Sequence, residues 1–108
     1  MPTTPERSAI VGWGSVSPLG ANAQTTWQAA LCGRSGIQAL DDPWSTDLAT
    51  RIAGRVEDSA FASLEPILRR RGDRCSQLAL LAARQAWAMA IERAPGLDPD
   101  RVAVVIGT

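Results

Sequence analysis

Ile10-Val11-Gly12-Trp13-Gly14-Ser15-Val16-Ser17-Pro18-Leu19-Gly20 is a short apolar run that breaks into three glycines and a Ser-Pro turn. The apolar part, Ser8 to Val11 closed by Gly12, predicts a strand buried on both faces. From Gly12 to Ala21 the chain is expected to make an irregular turn, because Pro18 has no amide proton to donate and glycine tolerates positive φ. The spacing Gly12-x-Gly14-x-x-Ser17 approaches a dinucleotide fingerprint and fails it. Ser17 stands at the third glycine position, and Pro18 interrupts the helix whose N-terminus would receive a pyrophosphate. No acidic residue follows a second strand at the required distance, so the run reads as a structural turn that packs under a sheet.

Working outward, the periodicity becomes helical. Asn22 is placed to cap a helix on which Trp27, Ala30 and Leu31 share an apolar face, ending at Gly33. Ser35 to Ser45 carries Gly36, two aspartates and Pro43 and reads as a loop, with Ile37, Leu40 and Trp44 as anchors. Polar and apolar residues alternate from Thr50 to Val56, which predicts a short extended segment. Phe61 to Arg71 predicts a short helix broken near Pro66, and Asp73 is the N-cap expected for a long helix from Arg74 to Ala94.

On that long helix Leu78, Leu81, Gln85 and Met89 lie on one side, while Ala79, Ala82, Ala83, Ala86 and Ala90 let neighbouring backbones approach; it is expected to be sandwiched. Arg101 to Thr108 is a β-branched run expected as a central parallel strand. The order strand, helix, loop, helix, strand is βαβ-like, so the fold class is α/β with a right-handed crossover. Trp27, Trp44 and Trp87 are expected to be packing residues.

Composition narrows the function classes. A chain of 108 residues makes one small domain or part of a larger one, and Met1 to Ser8 reads as a flexible leader. Eleven basic residues balance eleven acidic ones, which argues against nucleic acid as a partner. No apolar run approaches the ~20 residues of a membrane span, and the N-terminus lacks a secretory pattern, so a cytoplasmic protein is expected. Cys32 and Cys75 form no CxxC pair, and the chain has no histidine, so both are expected as reduced, small buried or half-buried thiols and no metal or cofactor is predicted. Without histidine the commonest general base is missing. Cys75, beside Arg74 near a helix start, is therefore not assigned as a nucleophile, and no catalytic, cofactor-binding or metal residue is assigned.

Several segments in order resemble the start of a β-ketoacyl-acyl carrier protein synthase, the condensing-enzyme family with the thiolase fold. Gly12, Gly14, Ser17, Pro18, Leu19 and Gly20 match the family's G-x-G-x-x-[ST]-P-L-G turn, and Thr26 to Ile37 resembles its helix running into G-[KR]-S-G-I. Arg51-Ile52-Ala53-Gly54-Arg55-Val56 is similar to R-I-A-G-x-V, and Asp73 to Leu80 is similar to the D-R-x-S-Q-L-A helix. Val104 to Thr108 resembles the strand that leads into the family's glycine-rich loop. Trp13 and Cys75 depart from the residues usual in the family at those places.

The resemblance implies that residues 9–108 are the N-terminal portion of a thiolase-like fold, a layered α/β/α/β/α architecture, ending before the nucleophile. It implies a parent enzyme that condenses acyl thioesters with malonyl-acyl carrier protein, with decarboxylation, in fatty acid or polyketide synthesis. The cysteine and two histidines of that chemistry have no counterpart in this chain, which alone is expected to be inactive. The implied partners are acyl carrier protein, acyl and malonyl thioesters, and a second subunit in a homodimer or a ketosynthase-like heterodimer. A non-catalytic partner subunit of the chain-length-factor type is the alternative, and an independent α/β interaction module is a third reading. Arg69-Arg70-Arg71 with Arg74 is either a docking patch for an acidic carrier protein or, the preferred reading, a solvated turn between helices.

Overall fold

A computed structural model describes residues 3–107 of the chain; Met1 and Pro2 of the expected leader, and Thr108 of the expected last strand, lie outside them. Three α-helices, α1 (Ala23–Leu31), α2 (Pro66–Arg71) and α3 (Arg74–Arg93), accompany two short strands, β1 (Ile37–Ala39) and β2 (Ile52–Gly54). Turns of 3-10 helix lie at Pro43–Ser45, Asp58–Phe61 and Pro99–Arg101. The described residues thus mix helix and strand.

Small residues decide how these elements meet. The glycine turn lies directly on the alanine stripe of α3. A Cβ at Gly12 would collide with the carbonyl oxygen of Ala86 and stand 2.9 Å from the amide nitrogen of Ala90. A Cβ at Gly14 would collide with the Ala82 carbonyl oxygen and stand 2.8 Å from Gln85 Cβ. These contacts are backbone on backbone, closer than any side chain permits. The opposite flank of α3 supplies Leu81 to a core with Phe61 and Leu64, against which Val16, Val56, Ala60, Leu78 and Leu80 pack. The long helix thus packs against the glycine turn and against this core, but it is not enclosed: among its residues Gln77, Leu81 and Ala90 are buried, while Trp87 and Ile91 are exposed.

Beyond Gly14 the chain closes a tight turn. Ser17 and Gly20 exchange two backbone hydrogen bonds of 2.9 and 3.1 Å, leaving Pro18 and Leu19 at the tip. Pro18 then meets the β1–β2 hairpin: Cβ atoms built on Gly36 and Gly54 would fall 2.7 and 3.0 Å from its ring. The hairpin is antiparallel, with Ile37 opposite Gly54, Gln38 opposite Ala53 and Ala39 opposite Ile52. The expected extended segment at Thr50 to Val56 is present as β2. The expected loop from Ser35 to Ser45 is corrected, since β1 and a 3-10 turn occupy much of it. Nor do Ile37 and Trp44 anchor it, being exposed; Ser45 does, buried with its hydroxyl 2.8 Å from Leu40 O and 2.7 Å from Asp42 O.

Helix ends follow local chemistry. Asn22 Oδ1 accepts from Thr25 N at 2.9 Å while Thr25 Oγ1 accepts from Asn22 N at 3.4 Å, a reciprocal cap. At the other end Gly33 N donates to Ala30 O and Arg34 N to Ala29 O, with Gly33 at φ +68, the left-handed closure glycine makes without strain. Asp73 caps α3 by accepting from Ser76 N at 2.6 Å. Pro66 begins α2 at a position that needs no amide proton, so it starts the helix where the sequence suggested a break. The face of α1 that packs contains Ala29. Trp27 and Leu31, expected inside, are 65% and 67% exposed, and Trp44 and Trp87 are exposed as well.

Both terminal strands differ from expectation. Residues 8–11 and 102–107 form no strand among the described residues, and their side chains are largely open, Val104 and Val105 at 78% and 91%. Strand structure requires a ladder partner, and the described residues provide none for either segment. The predicted βαβ crossover is therefore not formed; the sheet observed is the antiparallel β1–β2 pair. The two segments nevertheless converge. Ala9 to Gly12 and Val102 to Ile106 line one groove against Ala83, Ala86, Trp87 and Ala90 of α3. The radius of gyration is 18.2 Å, against about 13 Å for a compact domain of this length.

The packing of Gly14 yields a direct test. Gly14→Ala is expected to destabilise the protein by about 1–3 kcal/mol, the usual cost of overpacking. Gly96→Ala, with nothing within 4 Å of the added carbon, is expected to leave the urea midpoint in place. Equal midpoints for the two variants would refute the close approach.

Candidate functional site

Three groups of chemistry-bearing residues stand out: the polar ring around the glycine turn, the arginines at the α2–α3 corner, and the two cysteines.

The glycine turn is held by amide chemistry and offers little to a ligand. Gln85 Oε1 accepts from Ser15 N at 3.1 Å, and Gln85 Nε2 donates to Ala21 O at 2.7 Å, so one side chain grips both ends of the turn. Ser17 Oγ lies 2.7 Å from Thr26 Oγ1 and accepts from Leu19 N at 3.2 Å, tying the turn to α1. The amides of Ser15, Ser17, Leu19 and Gly20, which a phosphate loop would leave free, donate inside the protein here. An open groove of about 760 Å³ lies beside it, lined by Trp13, Trp27, Gln85 and Met89 among others. Arg93 stacks over the Trp13 ring with its guanidinium carbon 4.6 Å from the centroid.

The four arginines named from the sequence separate into three and one. Arg69, Arg70 and Arg71 form the last turn of α2, all exposed, where positive charge complements the carbonyl end of the helix. None of the three is in an ion pair among the described residues. Arg74 is committed elsewhere. Its Nη2 donates to Asp58 Oδ1 at 2.9 Å and Val56 O at 3.2 Å, and its guanidinium covers the Phe61 ring at 3.6 Å.

α2 is clamped to α3 at both ends. Glu65, its N-cap residue, accepts two hydrogen bonds from Arg84 Nη2, at 2.8 and 3.0 Å. Gln77, buried, directs its Nε2 at Gly72 O (2.8 Å), Arg69 O (3.1 Å) and Leu68 O (3.3 Å). The hydrogen bond from Arg84 lowers the Glu65 pKa below its ordinary value, and the hydrogen bonds from Ser76 do the same for Asp73.

Cys32 and Cys75 are exposed, not buried or half-buried as expected, because each lies at a helix end, at the C-cap of α1 and in the first turn of α3. The chain has no histidine to serve either as a base. Gln85 was legible in part, as a polar residue within an apolar stripe. Gln77 carries no such signal, since its acceptors belong to a different helix.

Comparison with known proteins follows this geometry. The sequence profile described as "Beta-ketoacyl synthase, N-terminal domain" matches residues 6–108. A 3-oxoacyl-[acyl-carrier-protein] synthase 2 of Coxiella burnetii is 35% identical over 105 residues, covering 94% of this chain and 25% of the relative. Proteins of the same name from Mycobacterium tuberculosis (strain H37Rv) and Staphylococcus aureus (strain N315) are 33% and 34% identical, over 92% and 95% of this chain. The chain spans about a quarter of the length of these curated relatives.

The two lowered carboxylates set a pH dependence. Their contributions are complete above the unfolded-state values, near pH 4, and are lost as pH falls through the lower folded-state values. Asp73→Ala is therefore expected to lower the urea midpoint near pH 7, with the gap to the unsubstituted protein shrinking on acidification to about pH 3. A gap independent of pH would show that the charged form of the cap contributes nothing.

Proposed function

The chain belongs to the β-ketoacyl synthase family, and on that premise we propose that it is the N-terminal part of a 3-oxoacyl-[acyl-carrier-protein] synthase. The observation that carries the proposal is the match of residues 6–108 to the N-terminal domain of that family, joined to relatives of one name at 33–35% identity. In the parent reaction a cysteine thiolate displaces the carrier thiol from an acyl thioester and becomes acylated. Malonyl-acyl carrier protein then loses carbon dioxide, and the resulting carbanion attacks the enzyme thioester, freeing the cysteine and leaving a 3-oxoacyl group on the carrier. Histidines beyond these residues support the decarboxylation, and backbone amides hold the developing oxyanion.

Residues 9–108 form in this reading the first portion of the N-terminal ketosynthase domain, preceded by a short leader at residues 1–8. A layered thiolase-like architecture is supported by α3, whose alanine face receives both Ala9 to Gly12 and Val102 to Ile106 while its other flank joins the Phe61 core. The two segments are then neighbouring strands of a sheet completed by the rest of the protein. Residues 1–108 alone do not catalyse, since neither exposed cysteine has a histidine base. The protein works in the cytoplasm on thioesters of fatty acid or polyketide synthesis, as a homodimer or with a ketosynthase-like partner.

Acyl carrier protein is the macromolecular partner, and Arg69, Arg70 and Arg71 are the part of its docking surface carried here. Support comes from their common exposure on one helical turn and from the lack of ion pairs for them among the described residues. Arg74 is not part of that surface, given its bonds to Asp58 and Val56.

Two experiments test this reading in the full-length protein. With Cys32→Ser and Cys75→Ser together, release of carbon dioxide from malonyl-acyl carrier protein and formation of the 3-oxoacyl product are expected to continue at the unsubstituted rate. Loss of condensation with the fold intact would move the nucleophile into this region. Separately, Arg69→Glu with Arg70→Glu is expected to weaken acyl carrier protein binding about tenfold or more, and less at high salt. Unchanged affinity would overturn the docking surface.

A further inference from the structure

The three arginines sit on a helix of six residues, far too short to be stable by itself. Its charged turn can face a partner in one orientation only if something outside the helix fixes that turn. Gln77 is the group in position to do so. It lies on α3, is 8% exposed, and its single amide nitrogen is directed at the carbonyls of Leu68, Arg69 and Gly72 at the end of α2; Leu68 O also accepts from Gly72 N at 2.9 Å, whereas Arg69 O and Gly72 O have Gln77 as their hydrogen-bond partner. Arg69 is thereby both a bearer of the surface charge and a backbone acceptor of Gln77. Gly72 completes the seat, since a Cβ there would lie 2.7 Å from Leu68 O and 3.5 Å from Gln77 Cγ.

We infer that Gln77 is a positioning residue for acyl carrier protein recognition, holding the Arg69-Arg70-Arg71 turn in its docking orientation without touching the carrier. The inference rests on the docking role proposed above for those arginines. Its chemistry is specific to a neutral donor: the amide satisfies carbonyls, adds no charge to a basic surface, and is buried, so the carrier meets the arginines alone. A glutamine that served only the core would affect stability and leave carrier selectivity untouched.

The test is a comparison of substrates in the full-length enzyme. Gln77→Met keeps the volume and removes the donor; Gly72→Ala disturbs the same turn from the other side. For each, KM for malonyl-acyl carrier protein is expected to rise about fivefold, with kcat within about twofold, while KM for a carrier-free malonyl N-acetylcysteamine thioester stays unchanged. In the background of Arg69→Glu and Arg70→Glu, Gln77→Met is expected to add nothing to the carrier KM, because the orientation it secures no longer matters. A fall in melting temperature with the carrier KM unchanged, in either variant, would overturn the positioning role. So would equal rises in KM for both substrates. If the arginine reversal itself leaves carrier affinity unchanged, the docking reading fails first, and that outcome is separate from a Gln77 variant that is silent where the reversal is not.

Discussion

Contact between the backbone at Gly12 and Gly14 and the alanine stripe of α3 is the constraint on which the remaining geometry depends. Two elements whose backbones touch cannot slide without losing that contact, so the turn that follows has a fixed starting point. Gln85 then ties both ends of the turn to the same helix. From this base Pro18 reaches the hairpin glycines, and the Ser17–Thr26 pair fixes α1. One turn of the chain therefore locates α1, the hairpin and α3 relative to one another. The absence of side chains at the two glycines is what lets this turn lie against the backbone of α3.

The polar groups divide according to what they serve. Those near the glycine turn are consumed internally, as are the amide of Gln77 and the hydroxyl of Ser45. Three adjacent arginines without ion pairs among the described residues stand at the end of α2, a helix anchored to α3 at both ends. In the reading proposed above, these residues supply framework and a share of partner recognition, in a chain that spans about a quarter of the length of its relatives.

Features that depend on near neighbours were legible in the sequence. Asn22 and Asp73 cap helices because the groups they satisfy lie three residues away, and Gly33 ends α1 because one residue must turn left-handed. Features that depend on distant neighbours were less so. Trp27 and Leu31 share a helical face, yet periodicity cannot tell which face is covered, and among the described residues that one is open. Residues 8–11 and 102–107 have strand composition but no ladder partner. β1 was hidden within a loop by its three-residue length. Arg74 looked like a fourth surface charge until Asp58 and Phe61, remote in sequence, proved to claim it. At Gly12 and Gly14 of the opening motif, close packing on α3 leaves no room for a side chain.

The convergence of Ala9 to Gly12 and Val102 to Ile106 on one face of α3 also has a kinetic side. The helix consists of local contacts that form in about a microsecond, whereas bringing these segments together closes nearly the whole chain into a loop. Closure entropy grows only slowly with loop length, so the penalty on stability is small. Its weight falls on speed, because contacts between residues far apart in sequence slow folding. Both apolar segments remain largely open even where they line α3, and contacts of such long sequence separation are expected to form after the helix itself.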